Sequence, residues 1–485
     1  MLFCSIKNIE DFGKASALAF GVELRLDLFE TIDLGKIKAL LQNRQEPVLF
    51  TVRKSSQGGG FLGSESEREK TIEKLFALEP DFFDLEYDMD QTCIQKMSSS
   101  HKNVKIICSY HNFEKTPHNL PEILASMQKP FFYGYKFSCL ANSSLDGMRM
   151  LLFIRKCTSE GKRVSGMCMG EKGQFTRVLG KVYGSFMTYA SMDAKSSLAP
   201  GQLPAHEMFE VYQYKNITAS TCIYGLIGGS TAASLSHFIH NRVMKAFDLH
   251  SIYVKIDLVP EELGEFFSLA KDLGVRGLSV TMPLKESVIS FLDEIDMEAK
   301  KIGAVNTISF QNGKSKGFNT DGKGALDAIE EHGLIRGKKV VILGAGGAAK
   351  AIAYVALQRG ASVTILNRSV GKALTLASQF GQRGGGLEQI EEEYKLKYDV
   401  LVNCTPNPLP ISPEYILSSA VIMETKNVPK ETELLIDAKK KGAKVVYGYE
   451  MLSRQAVLQE EIWFKEKIVK SEISELIFSE VLSHL

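Results

Sequence analysis

The sequence lacks an excess of charge of either sign. It carries 58 basic and 57 acidic residues, which gives a formal net charge of +1. Such a balance produces no long-range field that would attract nucleic acid or an anionic membrane. We therefore expect small-molecule substrates as partners, with no nucleic acid and no membrane.

The sequence also lacks paired cysteines and long apolar runs. Its 8 cysteines are scattered and include no Cys-x-x-Cys pair, which indicates neither a zinc site nor a disulfide framework and suits a reducing compartment. No basic region followed by a long apolar run begins the sequence, and later apolar stretches are broken by charge or glycine. We expect a cytoplasmic protein without a metal, as a monomer or weak homo-oligomer.

The chain does have enough apolar sequence for more than one core, with 485 residues of which 44% are hydrophobic. Up to about Gln202, helix-like stretches alternate with 8 β-rich runs, which are Leu2–Ile6, Val22–Leu28, Val48–Val52, Phe82–Tyr87, Val104–Tyr110, Phe131–Phe137, Val164–Met169 and Ser185–Ala190. Such alternation favours parallel strands joined by crossovers and predicts an N-terminal (β/α)8 barrel. The chemistry of that fold lies at the carboxyl ends of the strands.

Polar residues do cluster at the ends of these runs, namely Glu23, Arg25, Arg53, Glu86, His111 and Lys136. Aromatic neighbours of Lys136 would desolvate its ammonium group and lower its pKa, and a neutral amine can form a Schiff base. His111 ends the preceding run, and Glu86 on the run before it would orient the imidazole. The set predicts an imine-forming lyase; the alternative for a single lysine or histidine is a structural role.

After Gln202 the pattern lapses over Leu203–Ser220, which we interpret as the connection between domains. A second α/β series follows, with strands at Tyr224–Ile227, Ser251–Ile256, Gly277–Thr281 and Thr307–Gln311. Apolar residues at helical spacing over Met451–Leu485 predict C-terminal helices that pack back on the domain.

A glycine-rich turn stands between a predicted strand and a predicted helix. Lys339–Leu343 runs into Gly344, Ala345, Gly346, Gly347, Ala348 and Ala349, and a helical pattern follows. Gly344 permits the tight turn, Gly346 lets the backbone approach a pyrophosphate, and the helix N-terminus faces its negative charge. The context predicts a Rossmann-like domain that binds a nicotinamide cofactor.

The next strand, Ser362–Leu366, ends in Asn367, Arg368 and Ser369. An NAD site would usually offer an acidic residue here, whereas arginine suits the 2′-phosphate of NADP. A solvated surface charge is the alternative for Arg368. Upstream, Lys285 and Asp321 would meet across a cleft, where such a pair can exchange the proton that accompanies hydride transfer. A plain ion pair is the alternative for them.

Residues 223 to about 460 resemble the shikimate dehydrogenase family. Lys285 and Asp321 match the catalytic lysine and aspartate of that family. Further matches are the serine pair Ser234 and Ser236, followed by His240 and Asn241, then Thr281, Asn306, the Gly344–Ala349 turn, Asn367-Arg368-Ser369 and Gln455. The resemblance implies that Ser234 and Ser236 bind the substrate carboxylate, that Thr281, Asn306 and Gln455 bind the rest of the substrate, and that the cofactor is NADP(H).

Residues 1 to about 210 resemble type I 3-dehydroquinate dehydratase. The matching motifs are Glu23-Leu24-Arg25-Leu26-Asp27, Thr51-Val52-Arg53, Asp84-Leu85-Glu86-Tyr87, His111, Lys136, Arg177 and Pro200-Gly201-Gln202. The resemblance implies that Lys136 forms the imine, that His111 moves the protons and that Glu86 positions His111. It also implies that Glu23, Arg25, Arg53, Arg177 and Gln202 bind the substrate.

Some positions depart from the two family patterns. Leu198 stands where the dehydratases commonly have serine, and Ser197 is a candidate replacement. In the dehydrogenase half, Ala233, His237 and Asn427 stand where His, Pro and Tyr are usual. These changes bear on substrate affinity more than on reaction type.

The product implied for the first half, 3-dehydroshikimate, is the substrate implied for the second, and plant enzymes of the shikimate pathway show the same fusion and order. We expect a bifunctional enzyme of aromatic amino acid biosynthesis. Its expected domains are a barrel over 1–212, a substrate lobe over 221–325, an NADP lobe over 326–450 and returning helices over 451–485. The alternatives are a quinate- and NAD-specific second half, a different imine-forming lyase such as an aldolase, or a half retained only for binding.

Overall fold

The computed structural model describes the backbone of residues 1–485 and every side chain except that of Glu466. By their internal contacts the residues form two compact units. One comprises Met1–Thr221 with Ser268–Gly274, and the other Cys222–Phe267 with Val275–Leu485.

The first unit is built on one parallel sheet of 8 strands, β7-β6-β5-β4-β3-β2-β1-β8 in spatial order. These strands are β1 Leu2–Ile6, β2 Gly21–Arg25, β3 Val48–Thr51, β4 Phe82–Glu86, β5 Lys105–Asn112, β6 Gly134–Leu140, β7 Val164–Met169 and β8 Thr188–Ala190. The two end strands meet where Met187, just before β8, donates its backbone N–H to Ser165 Oγ of β7 at 2.9 Å. The sheet is therefore a nearly closed barrel, which confirms the predicted fold class.

A helix follows each strand of this barrel, and the last one comes after β8. The helices are α1 Phe12–Leu18, α2 Leu34–Asn43, α3 Glu65–Phe76, α4 Gln91–Ser100, α5 Leu120–Met127, α6 Ser144–Ser159, α7 Thr176–Leu179 and α8 Ala205–Glu210. Three strand predictions were misplaced at one end, and one of them is β8, which begins at Thr188 and not at Ser185. β2 ends at Arg25, where a 3₁₀ turn follows, and β6 begins only at Gly134 because the Phe132 N–H closes a turn to the Lys129 carbonyl.

The barrel interior is apolar at one level and polar above it. A cluster of buried side chains fills the lower level, namely Phe3, Leu49, Phe82, Ile107, Met167, Met187 and Tyr189. Strand alternation places Asp84, Ser109 and Lys136 on the same inward face, nearer the carboxyl ends. The apolar level closes the barrel, so the polar groups have one open end, which is where barrel enzymes hold their chemistry.

The predicted interdomain connection, Leu203–Ser220, was wrong as a linker. It contains α8, it buries Met208 and Tyr214, and it lies within the first compact unit. Burial of these apolar side chains against the barrel outweighs the weak local pattern.

The second unit contains two sheets. The first has the order β10-β9-β11-β13-β14-β12. Its strands are β9 Cys222–Gly228, β10 Ser251–Asp257, β11 Val275–Val280, β12 Glu294–Ile295, β13 Thr307–Gln311 and β14 Lys314–Phe318. Its helices are α9 Ser236–Ala246, α10 Leu263–Leu273, α11 Leu284–Ser287, α12 Met297–Ile302 and α13 Asp321–Glu330. The part of α10 from Ser268 onward groups with the first unit by its contacts. The sequence did not indicate β14, which pairs antiparallel with β13 across an Asn312-Gly313 turn of positive φ.

The second sheet of this unit is fully parallel, in the order β17-β16-β15-β18-β19-β20. It comprises β15 Lys339–Leu343, β16 Ser362–Leu366, β17 Arg383–Gly385, β18 Val400–Asn403, β19 Val421–Glu424 and β20 Lys444–Val446, with α14 Gly347–Gln358, α15 Val370–Gln379, α16 Ile390–Lys395 and α17 Glu433–Lys440. Its order reverses between β15 and β18, and a sheet of this type binds dinucleotides at that point.

Two long helices, α18 Gly448–Phe464 and α19 Lys470–Ser483, end the chain. Their buried residues pack with α9: Ile473 and Ile477 share a cluster with Ile239 and Val243. Among the residues described, no helix combines the length and the apolarity that crossing a membrane requires.

Candidate active sites

The barrel site centres on Lys136, which lies on β6 and is 4% exposed. Its Nζ is 2.7 Å from Asp84 Oδ2 and 4.2 Å from the centre of the Tyr189 ring. Burial lowers the pKa of Lys136 below its usual value, and Arg53 acts in the same direction while Asp84 opposes both. A buried lysine of lowered pKa is the form that attacks a carbonyl group.

Asp84 connects the charged groups of this site, although the sequence did not indicate a role for it. Its carboxylate accepts from Lys136 Nζ, from Arg53 Nη2 at 2.8 Å and from Ser109 Oγ at 2.6 Å. Burial favours the protonated acid, but Arg53 and Lys136 outweigh it and hold the pKa of Asp84 far below its usual value. The sequence feature that could have indicated a role for Asp84 is its position two residues before Glu86, on the same face of β4.

His111, at the end of β5, is held between Arg53 and Gln57. Its Nε2 is 2.6 Å from Arg53 Nη1, and its Nδ1 is 3.2 Å from Gln57 Oε1. Because a guanidinium can only donate, Nε2 is the acceptor and Nδ1 carries the hydrogen given to Gln57. Burial, Arg53 and Lys136 all lower the pKa of His111 well below its usual value, so the ring is neutral.

Glu86 was expected to orient His111, and the structure corrects this. Its carboxylate accepts from Arg68 Nη1 at 2.8 Å and from the Lys54 backbone N–H at 3.1 Å. Arg68 is 1% exposed and needs a buried counter-charge, which Glu86 supplies. The partner of His111 is instead Gln57, in the loop after β3, which sequence reasoning missed.

Arg177 is a buried cation facing the same cavity as Lys136. It is 2% exposed, and its donors reach only the Pro200 carbonyl at 3.2 Å and Met167 Sδ at 3.6 Å. Burial lowers its pKa to about 10, and among the described residues no carboxylate pairs with it. A guanidinium in this position is suited to bind an incoming carboxylate.

Three further predicted residues line this cavity, and each has a partner. Glu23 accepts hydrogen bonds from Ser5 Oγ at 2.5 Å and from Thr51 Oγ1 at 2.8 Å. Arg25 forms a bidentate ion pair with Asp27, with distances of 3.0 and 2.7 Å. Gln202 accepts from the Leu198 backbone N–H at 2.9 Å. These contacts fix the side chains before any substrate arrives.

In the second unit, Lys285 of α11 and Asp321 at the start of α13 form an ion pair. Lys285 Nζ is 2.5 Å from Asp321 Oδ2, with side-chain exposures of 19% and 5%. The lysine therefore remains open to a ligand while the carboxylate is held inside. Such an arrangement can pass a proton between the protein and an alcohol or ketone.

Asn306 joins Asp321 to the C-terminal helix α18. Its Nδ2 lies 2.8 Å from Asp321 Oδ1, 2.8 Å from Thr320 Oγ1 and 3.2 Å from Gln455 Oε1. Gln455 lies 149 residues away in sequence. The structure thus brings together three of the residues that the resemblance implied.

The serine pair lies at the N-terminus of α9. Ser234 Oγ donates to Ser236 Oγ at 3.1 Å, and the Ser236 N–H donates to Ser234 Oγ at 3.2 Å. The positive end of the dipole of this 11-residue helix favours an anion here. Thr281, half-buried after β11, lies against Gly228, and its carbonyl accepts from the Leu284 N–H at 3.0 Å.

The glycine-rich turn passes from β15 into α14. Gly344 has a φ of +115°, and a Cβ there would lie 3.1 Å from the Cys404 carbonyl, so the position requires glycine. Ala345 follows, and a Cβ on Gly346 would meet nothing within 4 Å. Gly347 and Ala348 begin α14, and a Cβ on Gly347 would lie 3.2 Å from Lys285 Cδ. The open space at Gly346 fits a pyrophosphate beside the Lys285 pair.

Arg368 and Ser369 are exposed after β16, and Asn367 Nδ2 donates to the Ser369 carbonyl at 3.2 Å. Arg368 forms no ion pair with any described residue and stands at the position where dinucleotide folds bind the adenosine ribose. No group of three or more possible metal ligands occurs among the described side chains.

Family models match both units. Type I 3-dehydroquinase matches residues 6–219, the shikimate dehydrogenase substrate binding domain residues 226–308, and shikimate/quinate 5-dehydrogenase residues 327–439. The shikimate biosynthesis protein AroDE of Chlamydia pneumoniae is 31% identical over 468 residues, which cover 96% of this chain and 94% of that protein. The chloroplastic bifunctional 3-dehydroquinate dehydratase/shikimate dehydrogenase of Arabidopsis thaliana is 33% identical over 470 residues, which cover 91% of this chain and 77% of that protein.

The chain belongs to the bifunctional 3-dehydroquinate dehydratase/shikimate dehydrogenase family. This chain is also similar to a crystal structure of a shikimate dehydrogenase in complex with NADP⁺, with 36% sequence identity and a TM-score of 0.50. The match covers 55% of this chain and 97% of the crystallised chain. The family prediction made from the motifs is therefore confirmed.

The positions that depart from the family patterns have distinct surroundings. Leu198 lines the barrel cavity, whereas exposed Ser197 donates its hydroxyl to the Ala199 carbonyl and does not line the cavity. His237 is buried, which lowers its pKa to about 3. Asn427, in the loop after β19, has a buried Oδ1 that accepts no hydrogen bond from any described group.

Proposed function

We propose that residues 1–212 convert 3-dehydroquinate to 3-dehydroshikimate, and that the remaining domains reduce this product to shikimate with NADPH. The observation that carries the proposal is that one chain holds both a buried lysine–histidine site and a lysine–aspartate pair beside a dinucleotide turn. The product of the first reaction is the substrate of the second. In this division, residues 221–325 and 451–485 form the substrate lobe and 326–450 the NADP lobe.

In the first reaction, Lys136 Nζ attacks the ketone of 3-dehydroquinate, and loss of water leaves an iminium ion. His111 Nε2 takes a proton from the adjacent carbon, and the resulting enamine expels the neighbouring hydroxyl, which leaves as water with the proton from His111. Hydrolysis of the imine then releases 3-dehydroshikimate and restores Lys136. The net change is the loss of one water molecule.

The surroundings of the barrel site support this sequence of steps. Arg53 occupies the lone pair of His111 Nε2 at 2.6 Å, so the bound substrate must displace that contact before His111 acts as a base. Arg177 has no carboxylate partner among the described residues and binds the carboxylate of the substrate. Glu23, Arg25 and Gln202 line the cavity and bind the hydroxyl groups of the substrate.

In the second reaction, NADPH supplies a hydride to the ketone carbon. Lys285 donates the proton to the ketone oxygen, and Asp321 holds Lys285 in place and accepts from Asn306. Ser234 and Ser236 bind the carboxylate, while Thr281, Asn306 and Gln455 contact the ring substituents. Gly344 to Ala348 hold the pyrophosphate, and Asn367, Arg368 and Ser369 hold the 2′-phosphate.

The direct test supplies the purified chain with 3-dehydroquinate and NADPH. We expect shikimate to accumulate and NADPH to be consumed in equal amounts. Accumulation of 3-dehydroshikimate alone would refute the second activity, and unchanged 3-dehydroquinate would refute the first.

Borohydride reduction in the presence of 3-dehydroquinate tests the imine. We expect a covalent adduct on the peptide that contains Lys136, and none in a Lys136→Ala variant. An unmodified Lys136 peptide in the active wild-type chain would exclude the imine mechanism.

Substrate and cofactor choice are tested by comparing shikimate with quinate, and NADP⁺ with NAD⁺. Because Arg368 is an exposed cation free to pair with a phosphate, we expect NADP⁺ to be preferred by at least about tenfold in kcat/KM. Arg368→Ala should reduce that preference, and equal use of both cofactors by the wild-type chain would contradict the assignment.

A further inference from the structure

The buried pair His240 and Glu460 takes part in neither proposed reaction. His240 Nδ1 lies 2.6 Å from Glu460 Oε1, and the two residues are 1% and 0% exposed. Within the described part of the chain, His240 Nε2 and Glu460 Oε2 have no hydrogen-bond partner. Burying two ionisable side chains is costly, and each would be strongly unfavourable without the other.

The pair joins two helices that supply different parts of the substrate site. His240 lies on α9 four residues after Ser236, so both side chains lie on the same face of that helix. Glu460 lies on α18, which also carries Gln455. A direct polar link therefore connects the helix of the serine pair with the helix that reaches Asn306.

Each helix is fixed separately to the underlying sheet. On α18, Gln459 Nε2 donates to the Asn306 carbonyl at 3.2 Å and to Thr307 Oγ1 at 2.9 Å. On α9, Asn241 Nδ2 donates to the Tyr253 carbonyl at 2.8 Å, and its Oδ1 accepts from the Tyr253 N–H at 2.9 Å. The His240–Glu460 contact adds the link between the two helices themselves.

The Tyr253 side chain packs against the imidazole of the pair. The His240 ring stacks on the Tyr253 ring with 4.4 Å between centroids. Burial raises the pKa of the Tyr253 phenol, and the neighbouring hydroxyl groups of Ser279 and Ser236 oppose that rise. The route from the pair to the serine site is therefore α9 itself, in which Ser236 and His240 are one turn apart.

We propose that the His240–Glu460 pair is a positioning device for the substrate carboxylate, because it fixes the spacing between Ser236 and Gln455. The inference rests on the proposed function, in which Ser236 binds that carboxylate. It assigns the pair no contact with the substrate.

The test replaces Glu460 with leucine and follows the oxidation of shikimate by NADP⁺. The expected result is an increase of about tenfold in the KM for shikimate, because Ser236 is no longer held in place. The kcat should stay within about twofold and the KM for NADP⁺ should not change. The methyl ester of shikimate has no carboxylate charge, so the KM of the variant for this ester should differ from the wild-type KM by less than about threefold.

Three further variants serve as controls. Glu460→Gln keeps an acceptor for the His240 Nδ1 hydrogen and should retain a KM close to the wild-type value. Glu461→Gln, on the same helix but paired with Lys470 at the surface, should have no effect. The double variant His240→Phe with Glu460→Leu replaces both buried polar groups by apolar ones, so it should fold even where the single variant does not, and should keep the raised KM.

The outcomes separate this inference from the proposed function. Equal increases in KM for shikimate and its ester, an unchanged KM in Glu460→Leu, or a wild-type KM in the double variant would overturn the positioning role while leaving the dehydrogenase assignment intact. A wild-type chain that does not oxidise shikimate would overturn the proposed function and this inference together.

Discussion

At the scale of single residues, the barrel site depends on a chain of buried polar contacts around two side chains. Asp84 links Lys136 to Arg53, and Arg53 in turn contacts His111. Arginine is always protonated, so it fixes which nitrogen of His111 carries the hydrogen. The charge state of both reacting groups thus depends on neighbours that do not themselves react.

Gln57→Ala removes the acceptor for the Nδ1 hydrogen of His111. We expect the kcat for dehydration of 3-dehydroquinate to fall by about 10- to 100-fold, because the imidazole loses its orientation, while shikimate oxidation is unchanged. Steady-state kinetics of both activities provide the measurement. Gln57→Glu, which keeps an acceptor, is the matched control. Retained activity in Gln57→Ala together with its loss in Glu86→Gln would show that Glu86 is the orienting residue after all.

Asp84→Asn removes the carboxylate that opposes the effect of burial on Lys136. Since burial lowers the pKa of Lys136 and Asp84 raises it, we expect the pKa of Lys136 to fall further in this variant. The pH dependence of borohydride trapping should therefore shift its half-maximal rate to lower pH. Ser109→Ala removes only a hydrogen bond to Asp84 and should shift the pH of the half-maximal trapping rate much less. A shift toward higher pH would contradict the role of Asp84.

At the scale of elements, the carboxyl ends of parallel strands bring distant polar residues together in both units. In the barrel, β4, β5 and β6 are adjacent, and Ser109 lies opposite Lys136. The Asp84 carboxylate reaches both side chains from β4. In the nucleotide-binding sheet, the turn after β15 leads into α14, whose first residue lies against Lys285. The glycine-rich turn and Lys285, the proposed proton donor, are therefore parts of one surface.

Two glycines of this turn should respond differently to alanine. Gly344→Ala places a Cβ at positive φ and 3.1 Å from the Cys404 carbonyl, so we expect a loss of about 1–3 kcal/mol in the free energy of unfolding. Gly346→Ala meets nothing within 4 Å and should leave the Tm unchanged. Its methyl group would instead occupy the path of the pyrophosphate and raise the KM for NADPH about tenfold.

Thermal unfolding and NADPH kinetics of the two variants distinguish these effects. A lowered Tm in Gly346→Ala with an unchanged KM would show that this glycine serves the fold and not the cofactor. Gly371→Ala, at another position where a Cβ meets nothing within 4 Å, is the matched control for both measurements.

At the scale of the whole molecule, each candidate site draws its residues from one compact unit. The barrel site uses residues between Ser5 and Gln202, and the dehydrogenase site residues between Ser234 and Gln455. Neither site needs a side chain from the other unit. The two activities should therefore be separable by single substitutions.

Lys136→Ala should abolish dehydration and spare shikimate oxidation, and Lys285→Ala should do the reverse. An equimolar mixture of the two variants should convert 3-dehydroquinate and NADPH to shikimate after a lag, because 3-dehydroshikimate must diffuse from one chain to the other. Product analysis over time provides the measurement. Failure of the mixture, with each single activity intact, would show that the intermediate does not leave the chain.

The sequence alone determined the classes of fold, the two families and most of the strands. The fold classes and the strands follow from local patterns: the alternation of β-rich and helical runs, the strand–turn–helix context of Gly344, and residue types at strand ends. The families were indicated by the resemblance of ordered motifs in each half. It also indicated Lys136 through its aromatic neighbours, and Lys285 and Asp321 through their match to the dehydrogenase motifs.

The tertiary structure alone decided which side chains meet. Gln57 contacts His111 from a loop 54 positions earlier, and Glu86 turns to Arg68, although strand order alone had suggested a Glu86–His111 contact. Likewise Gln455 reaches Asn306, and Glu460 reaches His240 across 220 positions. A buried polar group pairs with whatever partner the packed strands and helices bring within about 3 Å, and no local pattern encodes that distance.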